Sequence, residues 1–161
     1  MTVEQMRELK KEKGYTYAQI ANFILERGGD CMPFISPVDV QLDCDDKTMV
    51  QPDVAIVCQR DKVRRRVVYG APDFVLEVIS KSTKKKDYTK KLSKYMNAGV
   101  REYWIVDFEQ GVVLVYFFES EAFSVIYGMD QPIPIQIYQG ELQIGFEHIN
   151  RWIEEGQDRY Y

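Results

Sequence analysis

A chain of 161 residues, 45% hydrophobic and 29% charged, has the size and composition of one soluble globular domain and is too short for two ordinary ones. It has no apolar run near the roughly 18 residues of a membrane span, and its polar start, MTVEQMRELKKEK, lacks the apolar centre of a secretory signal, so a cytoplasmic protein with no membrane partner is expected. The net charge of −4 conceals a strong asymmetry: from Arg60 to Arg101 the balance is +9, which leaves −13 for the remainder.

Met1 to Lys13 carries Val3, Met6 and Leu9 three apart and predicts a short amphipathic helix ended by Gly14. Thr16 then reads as the N-cap of a second helix, about Tyr17 to Arg27, with Ile20, Phe23 and Ile24 inward and Gly28-Gly29 as its stop. The segment RELKKEKGYTYAQIA resembles the opening of a repressor-type helix-turn-helix. No recognition helix follows Ala21, so a helix packed on a sheet is the favoured reading over a remnant of a DNA-binding module.

Val38 to Asp43 (VDVQLD) alternates as a half-buried strand, and Val50 to Cys58 reads as a second strand hairpinned to it. Gln59 to Tyr69 is a basic connection. Ala71 to Ser80 (APDFVLEVIS) is a nearly continuous apolar strand, the pattern of burial on both faces. A helix from about Asp87 to Asn97 follows, with Leu92, Tyr95 and Met96 inward and Gly99 as its cap. REYWIVD and VVLVYFF form the next hairpin, with Tyr103 and Trp104 in the core. Short peripheral strands and a helix from about Glu147 to Glu155 complete the chain. The order is helix, three-stranded meander, helix, strand: an α/β sandwich with a mixed sheet.

The histidine and cysteine content narrows the chemistry further. A single histidine, His148, removes most Ser-His-Asp and Cys-His chemistry and all multi-histidine metal centres. Cys31, Cys44 and Cys58 have neither zinc-ligand spacing nor an even count, and small buried fillers are expected rather than zinc ligands or a disulfide framework. What stands out instead is a pair of Pro-Asp entries into apolar strands, Pro52-Asp53 and Pro72-Asp73, and a glutamate, Glu77, inside the second strand. A charge buried without a partner costs several kcal/mol or is neutralised, so such acids need a reason. A divalent cation is one: hard carboxylate oxygens on neighbouring rigid strands can hold Mg²⁺ (or Mn²⁺) while its other positions take water and phosphate. A lysine nearby would supply the cation that phosphoryl chemistry needs. Asp53 and Glu77, 24 residues apart on strands of one meander, meet the first demand, and Asp73 shares Glu77's side of its strand.

The words QPDVAIVC, GAPDFVLEVISKSTKKKD, KL and AGVREYWIVD, in that order, resemble the Uma-type family of restriction endonucleases in the PD-(D/E)xK nuclease-like superfamily. The resemblance spans about Ile35 to Phe117. It implies a restriction-endonuclease-like core of order α-β-β-β-α-β, within one domain over 1–161: a helical N-terminal segment (1–29, shortened relative to the family), a core (30–117), then peripheral strands and a helix (118–161). It implies Mg²⁺-dependent hydrolysis of DNA phosphodiesters, with Asp53 and Glu77 as metal ligands. The superfamily's lysine two positions after the glutamate is replaced by Ile79, and the family word K-L points to Lys91 instead, with Lys90 and Lys94 as alternatives. Asp73 and Glu26 are candidate supports of the metal ligands. Arg64, Arg65, Arg66, Lys81, Lys84, Lys85 and Lys86 are candidate contacts to the nucleic-acid backbone, and a homodimer is expected by analogy. Two alternatives stay open at this point. Glu77 can be a buried acid merely paired with Lys91 or an arginine, and the fold can serve as a non-catalytic module that binds nucleic acid or protein.

Overall fold

One unbroken helix, α1 (Val3–Arg27), opens the chain in the computed structural model, which describes residues 3–42, 47–79, 85–121 and 124–146. The expected stop at Gly14 does not occur. Glu12, Thr16, Ile20 and Ile24, four apart, are all buried, and this stripe docks on the sheet. Burial of a continuous face outweighs the modest helix penalty of one glycine, about 1 kcal/mol. Thr16 is therefore mid-helix rather than a cap. Among the described residues no helix is long and apolar enough to cross a membrane.

The strands that follow in chain order are β1 (Met32–Ile35), β2 (Asp39–Gln41), β3 (Met49–Val50), β4 (Val54–Val57), β5 (Val63–Arg64), β6 (Val67–Tyr69) and β7 (Phe74–Ile79). The helix α2 (Lys85–Ala98) leads to β8 (Glu102–Asp107), β9 (Val112–Phe117), β10 (Ser124–Gly128), β11 (Ile133–Pro134) and β12 (Gln143–Ile144). A six-stranded mixed sheet, in the order β1-β4-β7-β8-β9-β10, forms the body of the fold, and only the β7–β8 pair is parallel. The α2 crossover between β7 and β8 makes that parallel pairing geometrically accessible.

The expected meander is present, but its first strand is β1, not Val38 to Asp43. That alternating segment supplies β2, which pairs with β3 and with β6 in a separate sheet of order β3-β2-β6-β5. Its apolar side, Val38, Val40 and Leu42, packs with Val57, Val75 and Tyr103 on one face of the large sheet. Gln59 to Tyr69 is likewise not a plain connection but a 3₁₀ turn (Arg60–Lys62) followed by the β5–β6 hairpin.

The large sheet is covered on both sides. Ile20 and Ile24 of α1, with Ile133, Ile135, Ile144 and Phe146, pack on the face presented by Val54, Ile56, Phe74, Leu76 and Trp104. Tyr95 of α2 and the smaller sheet cover the opposite face. On the α1 face the buried Glu102 accepts hydrogen bonds from Trp104 Nε1 (2.7 Å), Ile137 N (2.9 Å) and Gln136 N (3.1 Å). Burial raises its carboxyl pKa, and these donors and the Arg101 charge oppose the rise. The contacts tie the 3₁₀ turn Gln136–Tyr138 to β8.

The three cysteines require a correction as well. Cys31 and Cys58 are joined in a disulfide, because the β1–β4 register that pairs Met32 with Val57 sets these two residues side by side across the strands. Cys44, His148 and the expected helix from Glu147 lie outside the described residues.

The unbroken course of α1 is testable at Gly14, where an added Cβ meets nothing within 4 Å. Gly14→Ala should stabilise the protein by about 0.5–1 kcal/mol in urea unfolding; a loss of stability would mean that the chain breaks there.

Candidate active site

The antiparallel β4–β7 register aligns Val54 with Leu76, which sets Asp53, one step before β4, across from Glu77. Side chains alternate along a strand. Phe74 and Leu76 face α1, so Val75 and Glu77 face α2; Asp53, next to the α1-facing Val54, belongs to the α2 side with them. The Asp53 carboxylate is anchored beside Glu77 in a second way, because its Oδ2 accepts the Val78 N–H at 2.7 Å. Two carboxylates from adjacent strands therefore meet at one end of the sheet.

Each acid has a lysine. Glu77, 6% exposed, accepts Lys91 Nζ on Oε2 at 2.6 Å and the Tyr95 hydroxyl on Oε1 at 2.7 Å. Lys91 and Tyr95 lie four apart, one turn of α2, so both reach the same face. Lys90 and Lys94 are exposed, and this distinguishes Lys91 from its neighbours. Asp53 Oδ1 pairs with Lys13 Nζ of α1 at 2.5 Å. The four charges balance. Burial first, and the Glu77 charge second, hold the Tyr95 hydroxyl well above its ordinary pKa, so it remains a proton donor to the glutamate.

Tyr103 stands behind this group with its ring 4.8 Å from that of Tyr95. Its hydroxyl is fully buried and has no hydrogen-bond partner among the described residues. Burial raises its pKa, and the charge of Glu77 adds to the rise.

The other sequence candidates sit elsewhere. Asp73 is at the opposite end of β7, four residues or about 13 Å from Glu77 along the strand. It caps β4 there, with Oδ2 accepting the Cys58 N–H at 2.7 Å and Oδ1 3.6 Å from Arg101. Glu26 is exposed near the C-terminus of α1, 13 residues or about 20 Å from Lys13, and does not join the acids. Arg64, Arg65 and Arg66 are exposed at the tip of the β5–β6 hairpin, where Arg65 (φ 49°) and Arg66 (φ 68°) both take the left-handed conformation. A two-residue hairpin of this kind ordinarily uses Asn-Gly. Lys85 and Lys86 belong to the first turn of α2, whereas Lys81 and Lys84 fall outside the described residues.

Lys13 and Tyr95 were not singled out by the sequence as members of a site. Tyr95 had a signal, its i+4 spacing from Lys91. Lys13 had none, because 40 residues separate it from Asp53. Among the described residues no cluster of three or more His, Cys, Asp or Glu forms a metal-binding group. The donor set is two carboxylates, hard oxygens of combined charge −2, which suits one divalent cation whose other positions are filled by water or phosphate.

A direct check on the pairing is Tyr95→Phe. Loss of the hydroxyl leaves a buried carboxylate oxygen without its donor, which should cost about 1–3 kcal/mol in urea unfolding; unchanged stability would show that the hydrogen bond contributes nothing.

The model of a family designated Uma2 and described as "Putative restriction endonuclease" matches residues 2–142. No curated protein matches. Among solved structures, the crystal structure of a protein from Anabaena variabilis described as a putative nuclease superposes with a TM-score of 0.71 at 15% identity, covering 90% of this chain and 81% of that one. At that identity the likeness establishes a shared fold.

Proposed function

From the premise that this chain belongs to the Uma2 family, putative restriction endonucleases by description, we propose that it is a Mg²⁺-dependent (or Mn²⁺-dependent) endonuclease that hydrolyses DNA phosphodiester bonds. The observation that carries the reading is the convergence of Asp53 and Glu77 at one end of the β4–β7 pair, with Lys91 on Glu77. Asp53 and Glu77 would hold the metal, which when bound supplies Lewis-acid charge at the phosphate and acidifies a water.

The chain's own residues account for the rest. Lys91 presents an ammonium at the carboxylates' end of the sheet, suited to orienting the attacking water and to stabilising the charge that builds on phosphorus. Tyr95 keeps Glu77 in one orientation, because its hydroxyl stays protonated beside the carboxylate. Water oxygen forms the new bond to phosphorus and the phosphorus–oxygen bond to the leaving strand breaks. The nucleic acid itself would be held through its phosphates by the exposed Arg64, Arg65 and Arg66, with Lys85 and Lys86 of α2, and Lys81 and Lys84 before them in the sequence, adding charge without reading sequence. Two non-glycine residues held in the left-handed region cost of order 1 kcal/mol each, a cost that display of guanidinium groups would explain. A homodimer would bring one site to each strand of a duplex, and a cytoplasmic setting belongs to the same reading.

Supercoiled plasmid should be nicked in Mg²⁺ or Mn²⁺ and left intact in EDTA. Asp53→Asn and Glu77→Gln should each abolish nicking, and Lys91→Met should slow it by about 100-fold or more, with far-ultraviolet circular dichroism unchanged. Plasmid left intact at all metal concentrations, with DNA still retarded in gels, would favour a non-catalytic binding module. Replacing Arg65 and Arg66 together by alanine should lower the slope of log affinity against log salt by about two, measured by fluorescence anisotropy on duplexes of unrelated sequence.

A further inference from the structure

Lys13 is a charge that the reading above leaves without a task. It projects from α1, an element outside the large sheet, and its ammonium lies 2.5 Å from Asp53 Oδ1. The other oxygen of Asp53 is engaged by the Val78 amide, so both are taken. Glu77 is held in the same way, by Lys91 and one neutral donor, the Tyr95 hydroxyl, and the charged partner of Asp53 among the described residues is Lys13. A divalent cation and an ammonium on the same small carboxylate would stand within a few ångströms of each other, where like charges repel strongly at a partly buried site. They compete for that oxygen. Lys13 is 24% exposed and on a flexible four-carbon stem, so it can leave toward solvent without disturbing the buried stripe of α1.

We propose that Lys13 is a positioning residue that acts as a built-in counter-ion: it occupies Asp53 when no metal is bound, must be displaced for a divalent cation to enter, and thereby weakens metal binding in the absence of nucleic acid. The inference rests on the assignment of Asp53 as a metal ligand. Its physical content is a competition. Lys13 holds the empty carboxylate in place at the end of β4, and once released its ammonium remains at the same end of the sheet, available to a phosphate. Metal entry and phosphate binding are then coupled through one side chain, each favouring the other.

The test is Mn²⁺ binding by calorimetry on the full chain without DNA, for the natural protein, Lys13→Met, Lys13→Arg and Asp53→Asn, with thermal melting of each in the presence and absence of Mn²⁺. Lys13→Met should bind Mn²⁺ about tenfold more tightly than the natural protein, Lys13→Arg should stay close to it, and Asp53→Asn should lose binding. Lys13→Met should also melt lower than the natural protein without metal and gain more from added Mn²⁺, because metal then neutralises an otherwise uncompensated Asp53. If the natural protein binds Mn²⁺ through Asp53 and Lys13→Met binds it no more tightly, or shows a melting deficit that Mn²⁺ does not reduce, the counter-ion role is overturned and the metal assignment stands. If no variant shows Asp53-dependent Mn²⁺ binding, both are overturned.

Discussion

Two negative charges facing each other at the end of adjacent strands are unstable unless something positive stands between or beside them, and the architecture around Asp53 and Glu77 is arranged to meet that demand. Lysines from two different helices, Lys13 of α1 and Lys91 of α2, each neutralise one acid. The helices approach the sheet from opposite faces, α1 through Ile20 and Ile24 and α2 through Tyr95, so their charged side chains converge only where the sheet ends. The arrangement is held by packing, and the charges occupy the rim that packing leaves.

Glu102 shows why this cluster differs from an ordinary buried acid. It is also buried, yet its partners are an indole N–H and two backbone amides, neutral groups fixed by β8 and by the 3₁₀ turn it anchors. Such a site is complete as it stands and has a structural purpose. At Glu77 the partners are a lysine that can move and a tyrosine that cannot easily ionise, and beside them lies a buried Tyr103 hydroxyl without a partner among the described residues. Mobile cations beside carboxylates, at a sheet end, make a place where one positive group can be exchanged for another, and both the proposed metal chemistry and the proposed role of Lys13 draw on that property.

Among the described residues, further basic charge lies on elements added to the sheet. The β5–β6 hairpin displays Arg64, Arg65 and Arg66 on a tight turn whose backbone would suit glycine better, and α2 begins with a lysine pair. Asp73, by contrast, closes the other end of β7 through the Cys58 amide and Arg101, where the Cys31–Cys58 disulfide also joins β1 to β4. The two ends of the β4–β7 pair thus differ in kind, one fixed by covalent and backbone links, the other by exchangeable ion pairs.

Sequence by itself determined the elements whose information is local or strongly patterned. The continuous apolar run of β7 announced burial on both faces, the acids at 53 and 77 stood out because charge in such runs is costly, the spaced words identified the family, and Lys91 was found through one of them. Tertiary structure alone decided the matters that depend on which surfaces meet. Gly14 lies inside α1 because the stripe from Glu12 to Ile24 buries as one face, and Val38 to Asp43 forms part of a separate sheet because its apolar side had a second surface to cover. Asp73 and Asp53 carry the same Pro-Asp signature yet occupy opposite ends of a strand pair, a distinction set by antiparallel register rather than by either residue. Lys13 joined Asp53, and Cys31 joined Cys58, across separations at which periodicity carries no signal, since spatial proximity between distant segments is fixed only when the core packs.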